Sequence, residues 1–229
     1  MVLAISIAVA VGVAIAQAPQ GAPGGGRGQG GPGAGGPPGG GAPGGAPGGA
    51  ARGGGRGGPT LMITSPSFPD GGEVPMKFAG RGENKSPQFD FKWYTGMNPA
   101  EQPATVVTYA VIFHDIENST NRGTADTLHW SAFNIPGTAK GLPEGLAGGD
   151  LPDGTRNGPG INSGRGTPSY FGPGAGAGMR LNHYIFEFYA LDTKLEFPGV
   201  PTREQLMAAM EGHVVGKGAY VGRFHTPAP

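Results

Sequence analysis

Titratable side chains stand inside some of the most apolar stretches of this 229-residue chain. Val111-Ile112-Phe113 runs into His114-Asp115-Ile116-Glu117, and Thr127-Leu128-His129-Trp130-Ser131-Ala132-Phe133 carries a histidine in mid-run. Tyr170-Phe171-Gly172-Pro173 precedes Asn182-His183-Tyr184-Ile185-Phe186. Burying an imidazole or a carboxylate without a partner costs several kcal/mol. Such groups therefore pair with one another or build a site.

Strand alternation puts His129 on the face opposite Leu128 and Trp130. Alone, it reads as a core histidine bonded to one backbone carbonyl. Asp115 at the end of an apolar run changes that, because an Asp–His pair fixes the tautomer and leaves the other ring nitrogen for a ligand. Glu117 either braces the following loop or faces solvent. Nucleophilic catalysis is not indicated, since no G-x-S-x-G elbow occurs. His114, Asp115, His129 and His183 are metal-ligand types. His114 and Asp115 nevertheless point to opposite sides of a strand, and no H-x-H or H-x-x-x-H pair occurs. No catalytic residue, metal or cofactor is assigned.

The elements that must position these residues read mostly as strands. Phe89, Phe91 and Trp93 alternate with Asp90 and Lys92, and the spans 105–113, 127–135, 183–191 and 219–224 carry strand patterning. Asp70-Gly71-Gly72, Asn98-Pro99, Pro136-Gly137 and Asp153-Gly154 read as turns. One helix is expected over 202–212. There Thr202 and Gln205 form a capping box, Leu206, Met207, Ala209 and Met210 make an apolar face, and Gly212 is the stop. Residues 145–178 form a long Gly/Pro/Asn-rich segment, expected to be one wall of the site.

Composition divides the chain. Of the 48 glycines and 24 prolines, 23 glycines and eight prolines lie before Thr60; residues 17–59 have nothing to bury, so they read as a disordered linker. Residues 1–16 form a short apolar run that reads as a secretory signal peptide or an uncleaved N-terminal anchor, with Ala14-Ile15-Ala16 as a cleavage site. Export to the periplasm or medium follows. The chain has no cysteine, which excludes disulfides, thiolate metal sites and a lipid-modified cysteine. From Asp70 onward thirteen basic residues face sixteen acidic ones, which is no nucleic-acid footprint. Arg27, Arg52 and Arg56 have no aromatic residue between them for stacking on single strands.

In order along residues 61–224, several motifs resemble those of the phosphatidylethanolamine-binding protein family, especially its bacterial Raf kinase inhibitor-like branch. Ser65-Pro66-Ser67-Phe68 with Asp70-Gly71-Gly72 and Val74-Pro75 is similar to the family's opening motif. Gly82-Glu83-Asn84-Lys85-Ser86-Pro87 is similar to G-E-N-x-S-P, and Leu128-His129-Trp130 with Phe133-Asn134-Ile135-Pro136 to V-H-W-x-x-x-N-I-P. Tyr170-Phe171-Gly172-Pro173, Tyr189-Ala190-Leu191-Asp192 and Met210-Glu211-Gly212-His213-Val214 are similar to Y-x-G-P, Y-A-L-D and M-x-G-H-V. The resemblance implies one mainly β domain over 60–225, with a large antiparallel sheet packed on a smaller one and one or two peripheral helices.

It also implies a pocket for a small anion or phospholipid headgroup. Asp115, His129 and Tyr184 match the pocket aspartate, histidine and tyrosine, and Gly172 and Pro173 the pocket-lining turn. This chain departs from the pattern at three places. The family's D-P-D-x-P is Asp115-Ile116-Glu117-Asn118-Ser119 here. Its second pocket histidine aligns with Asn182, followed by His183 in place of arginine, and the Pro-rich run after G-P is Gly174-Ala175-Gly176-Ala177-Gly178. The expected function is non-enzymatic binding of a small anion by Asp115, Glu117, His129, Gly172, Pro173, Asn182 and Tyr184. Protonated His129 and backbone N–H groups would supply the attraction. The alternative is a protein-interaction or inhibitory module acting on a kinase or protease partner.

Overall fold

The computed structural model describes residues 58–119, 122–178 and 180–227. The signal or anchor expected over 1–16, and the linker expected over 17–59 up to residue 57, lie outside the described residues. Ten strands and one α-helix occur in the order β1 Thr60–Thr64, β2 Gly72–Glu73, β3 Phe89–Thr95, β4 Asn98–Ala100, β5 Thr108–Asp115, β6 Thr127–Pro136, β7 Gly141–Leu142, β8 Arg156–Asn157, β9 Asn182–Leu191, α1 Arg203–Met210 and β10 Val214–Phe224.

The larger sheet runs β2-β10-β9-β5-β6-β8, and the smaller runs β1-β3-β4 with β7 also on β3. Pairing is antiparallel except at the β2 edge, which lies parallel to β10. The large sheet is thus mixed at one margin rather than wholly antiparallel. Its central strand, β5, is buried along its whole length.

Tyr109, Val111 and Phe113 of β5 face the small sheet with Tyr184, Phe186 and Phe188 of β9, against Leu61, Ile63, Phe89, Phe91 and Trp93. On the other side Ala110 and Ile112 pack with Phe133, Leu206 and Met210, so α1 covers that face. The capping box at Thr202 is present, and the helix stops at Met210 before Gly212 enters the left-handed region at φ +84°. Leu206 and Met210 are its buried side chains, whereas Met207, expected on the apolar face, is exposed.

Three boundaries differ from expectation for identifiable reasons. The strand expected from 105 begins at Thr108, because Val106 N–H closes a turn onto Pro103 O at 3.0 Å. Asn98-Pro99, expected as a turn, belongs to the short strand β4, where an edge position tolerates proline. Strand β10 begins five residues before the expected Ala219. Gly216 obscures its pattern, yet a Cβ at Gly216 would lie 2.6 Å from the Trp93 ring. Glycine there lets the two sheets approach.

Candidate functional site

Three adjacent strands of the large sheet deliver the polar side chains. Asp115 ends β5, and the alternation that turns Tyr109, Val111 and Phe113 inward turns it inward too. Asn182 and Tyr184 open β9, and Tyr184 pairs directly across from Asp115. His129 arrives differently. The β5–β6 register runs Phe113↔Trp130 and then His114↔Leu128, which leaves His129 as the extra residue of a bulge.

Simple alternation, which put His129 opposite Trp130, fails at this bulge. The His129 ring contacts Phe113 edge-on at 5.3 Å and Tyr184 at 5.3 Å. Trp130 is also in the inner core, against Tyr170. Re-aiming a side chain is a characteristic effect of a bulge beside a site.

The wall opposite the strands comes from the long Gly/Pro/Asn-rich segment. Ile161 N–H bonds to His129 O at 3.1 Å and Gly158 N–H to Ser131 O at 2.8 Å, so this stretch runs alongside the bulge. Tyr170 Oη donates to Phe78 O at 3.0 Å, Gly80 N–H to Pro173 O at 2.9 Å, and Gly172 N–H to the Asn84 side-chain oxygen at 2.8 Å. Asn84 sits at φ +55°. A Cβ on Gly172 would lie 1.9 Å from Phe78 O, so the turn can approach the short 3-10 turn at Met76–Phe78 only with glycine there.

Between these walls lies a cavity of about 370 Å³ lined by Asp115, Asn118, His129, Ile161, Phe171, Gly174, Ala175, Gly176, Asn182 and Tyr184. Half of that lining comes from the long segment, as its position in the chain suggested. Of the expected residues, Asp115, His129, Asn182 and Tyr184 meet in the cavity. Gly172 and Pro173 are not among its lining residues; their carbonyls hold His129 and Gly80 instead. Glu117 stands at the rim. Its carboxylate accepts from His183 N–H and meets His183 Nδ1, both at 2.6 Å, so it braces the loop onto β9. Asn118, Ile161 and Phe171 were not singled out from the sequence, because their roles depend on loop paths that carry no periodic pattern.

The hydrogen bonds differ from the expected Asp–His pair. His129 Nδ1 donates to Phe171 O and Gly172 O, each at 3.1 Å. Carbonyls only accept, so this nitrogen carries the hydrogen and Nε2 is left to meet a ligand. The plain reading of a histidine bonded to backbone carbonyl is therefore correct for Nδ1.

Asp115 bonds elsewhere. Its Oδ1 accepts from Glu117 N–H at 3.0 Å and Asn118 N–H at 3.1 Å, and Asn182 Nδ2 reaches Oδ2 at 3.0 Å. Tyr184 Oη accepts from Gly174 N–H at 3.3 Å and Ala175 N–H at 3.1 Å.

Burial holds the His129 pKa below its ordinary value, against the opposing effects of the two carbonyls and the Asp115 charge. Without a ligand the ring therefore favours the neutral form near pH 7. Burial first, and then the Asp115 charge, push the Tyr184 phenol well above its usual range, so its O–H is retained. At neutral pH the cavity offers a carboxylate, a neutral imidazole nitrogen, two amides and a phenol. That set can hold and orient a small polar group.

His114 is not part of the cavity. It lies on the opposite face of β5, with Nδ1 2.5 Å from Asp126, which is in turn held by Arg203 of α1. Among the described residues, no cluster of three or more His, Asp or Glu is arranged to hold a metal ion.

A family model described as phosphatidylethanolamine-binding protein matches residues 64–225. The UPF0098 protein of Methanothermobacter thermautotrophicus is 33% identical over 159 residues, spanning 69% of this chain and 94% of that protein. A Mycobacterium tuberculosis protein named as a candidate lipoprotein, LppC, is 30% identical over 165 residues and 72% of each chain. Among solved structures, E. coli YbcL, a member of the PEBP family, superposes with a TM-score of 0.56 at 22% identity. The match covers 72% of this chain and 98% of YbcL.

Proposed function

The chain belongs to the phosphatidylethanolamine-binding protein family, and from that premise we propose that it binds a small anionic group of the phosphate or phospholipid-headgroup kind without transforming it. One observation carries this reading. Neighbouring strands β5, β6 and β9 bring Asp115, His129, Asn182 and Tyr184 to a single cavity of about 370 Å³, with the His129 tautomer fixed so that Nε2 is left for a ligand. That volume falls within the usual range for small-ligand sites. Polar groups fixed in advance orient a ligand at little entropic cost.

The family relation to a protein named as a lipoprotein supports export, with residues 1–16 as the export signal or anchor. Anchoring would not use a lipidated cysteine, because this chain has none. Among the described residues no helix is long and apolar enough to cross a membrane.

Calorimetric titration of the full chain with inorganic phosphate and with phosphorylethanolamine at pH 6 tests the binding reading. His129→Ala is expected to weaken binding at least tenfold, because it removes the ring nitrogen left for the ligand. Equal affinity of the variant, or no binding by the wild type, contradicts it.

A further inference from the structure

This inference rests on the anion-binding reading and concerns which form of the anion the cavity accepts. Most of the donors an anion would need are already engaged. Glu117 N–H and Asn118 N–H serve Asp115, Gly174 N–H and Ala175 N–H serve Tyr184, and Asn182 Nδ2 serves Asp115. Among the described residues lining the cavity there is no lysine or arginine. An acceptor faces the space instead: the ring of His129 lines the cavity with Nδ1 bound to the backbone and Nε2 left over, beside the charge of the buried Asp115 carboxylate. The Tyr184 O–H is itself held by the Asp115 carboxylate, so among the side chains lining the cavity the amide of Asn118 is left to donate or accept.

The charged groups nearby do not alter that balance. Glu117 and His183 pair with each other at the rim, and Arg180 lies against Glu117 O at 3.4 Å. Arg165 stacks on the Phe171 ring at 5.7 Å. His114, on the far side of β5, adds a weak repulsion to a protonated His129.

A buried carboxylate repels a dianion and welcomes a ligand that brings its own O–H. We infer that the pocket takes a phosphomonoester-type group in its singly protonated monoanionic form, with the ligand O–H donated to Nε2 of His129. Where the family pattern has a second histidine, Asn182 adds no positive charge. It thereby sets the preference for a proton-bearing group over a dianion or a phosphodiester. The neutral state of the buried His129 is consistent with this. One proton is then taken from solvent per ligand bound whenever the free ligand is a dianion, as a phosphomonoester is above about pH 6.

The test is calorimetry of the full chain with methyl phosphate from pH 5.5 to 8.5, in two buffers of different ionisation enthalpy. Above about pH 7 the affinity should fall roughly tenfold per pH unit, with uptake of about one proton per ligand. Dimethyl phosphate, singly charged throughout but without an O–H, should bind at least tenfold more weakly than methyl phosphate at pH 6. Asp115→Asn should flatten the pH profile and bind methyl phosphate more tightly than the wild type at pH 8.

Methyl phosphate affinity that is constant or rises with pH overturns the inference, as does dimethyl phosphate binding equally well. Both results leave the anion-binding reading standing. No binding of methyl phosphate at pH 6 overturns the two together.

Discussion

Phe113→Ala is expected to lower the stability of the folded part by about 3–5 kcal/mol, the usual cost of removing a large aromatic from a closed core. The ring is 0% exposed and stacks on Phe186 with centroids 3.9 Å apart. It also lies 5.5 Å from the Tyr170 ring and touches the His129 and Tyr184 rings. Phe113 is thus both the centre of the aromatic core and the floor beneath the cavity, two residues before Asp115. In a domain of this size, such a loss corresponds to roughly 10 °C in melting temperature. Urea unfolding followed by tryptophan fluorescence measures it, and a change under 1 kcal/mol would mean that this packing is wrong.

The second large effect concerns the opposite face. Asp126 accepts from Arg203 of α1 and meets His114 Nδ1, so one carboxylate joins the helix to β5. Asp126→Ala leaves a nearly buried imidazole and a guanidinium without that partner. Removing one member of a fully buried pair costs about 3–5 kcal/mol. Because Asp126 and Arg203 retain 22% and 27% side-chain exposure, we expect about 2–3 kcal/mol.

Burial pushes the Asp126 pKa up, but the bonds from Arg203 and His114 outweigh it and hold the carboxyl below the ordinary 3.8. A depressed carboxylate contributes its stability above the unfolded pKa and loses it as pH falls through the folded one. Wild type and variant should therefore differ fully at pH 6, and the gap should begin to close only as pH falls below the ordinary 3.8 toward the lower folded value. Equal stability at pH 6, or a gap that grows as pH falls below that range, would contradict the network.

Much of the site was legible because residue type and chain order survive folding. Asp115, Asn182 and Tyr184 sit where strand alternation and the family-like motifs put them. The alternating Phe89, Phe91 and Trp93 do face the core. The opposite facing of His114 and Asp115 also followed from alternation, although the partner of His114 did not, because Asp126 precedes the next strand with no pattern linking the two.

The bulge at His129 was not legible, because a one-residue register shift leaves no mark on the sequence of either strand. Nor was the replacement of the Asp115–His129 bond by bonds to Phe171 O and Gly172 O. That choice depends on how Asn84, Phe78 and Gly80 hold the distant Tyr170–Pro173 turn against the sheet. The early start of β10 was hidden by glycines whose reason for being there lies in the other sheet.

On the proposed reading, His129 presents Nε2 to an anionic ligand while Nδ1 stays bound to the backbone. Long-range proton–nitrogen correlation of the histidine rings tests this, recorded on the full chain at pH 7 during titration with methyl phosphate. A neutral, Nδ1-protonated His129 is expected in the free protein, and saturating ligand should move its Nε2 resonance more than any ring nitrogen of His213, which is paired with Asp192 at the surface. An Nε2-protonated His129, or binding that leaves the His129 resonances where they were, would contradict it.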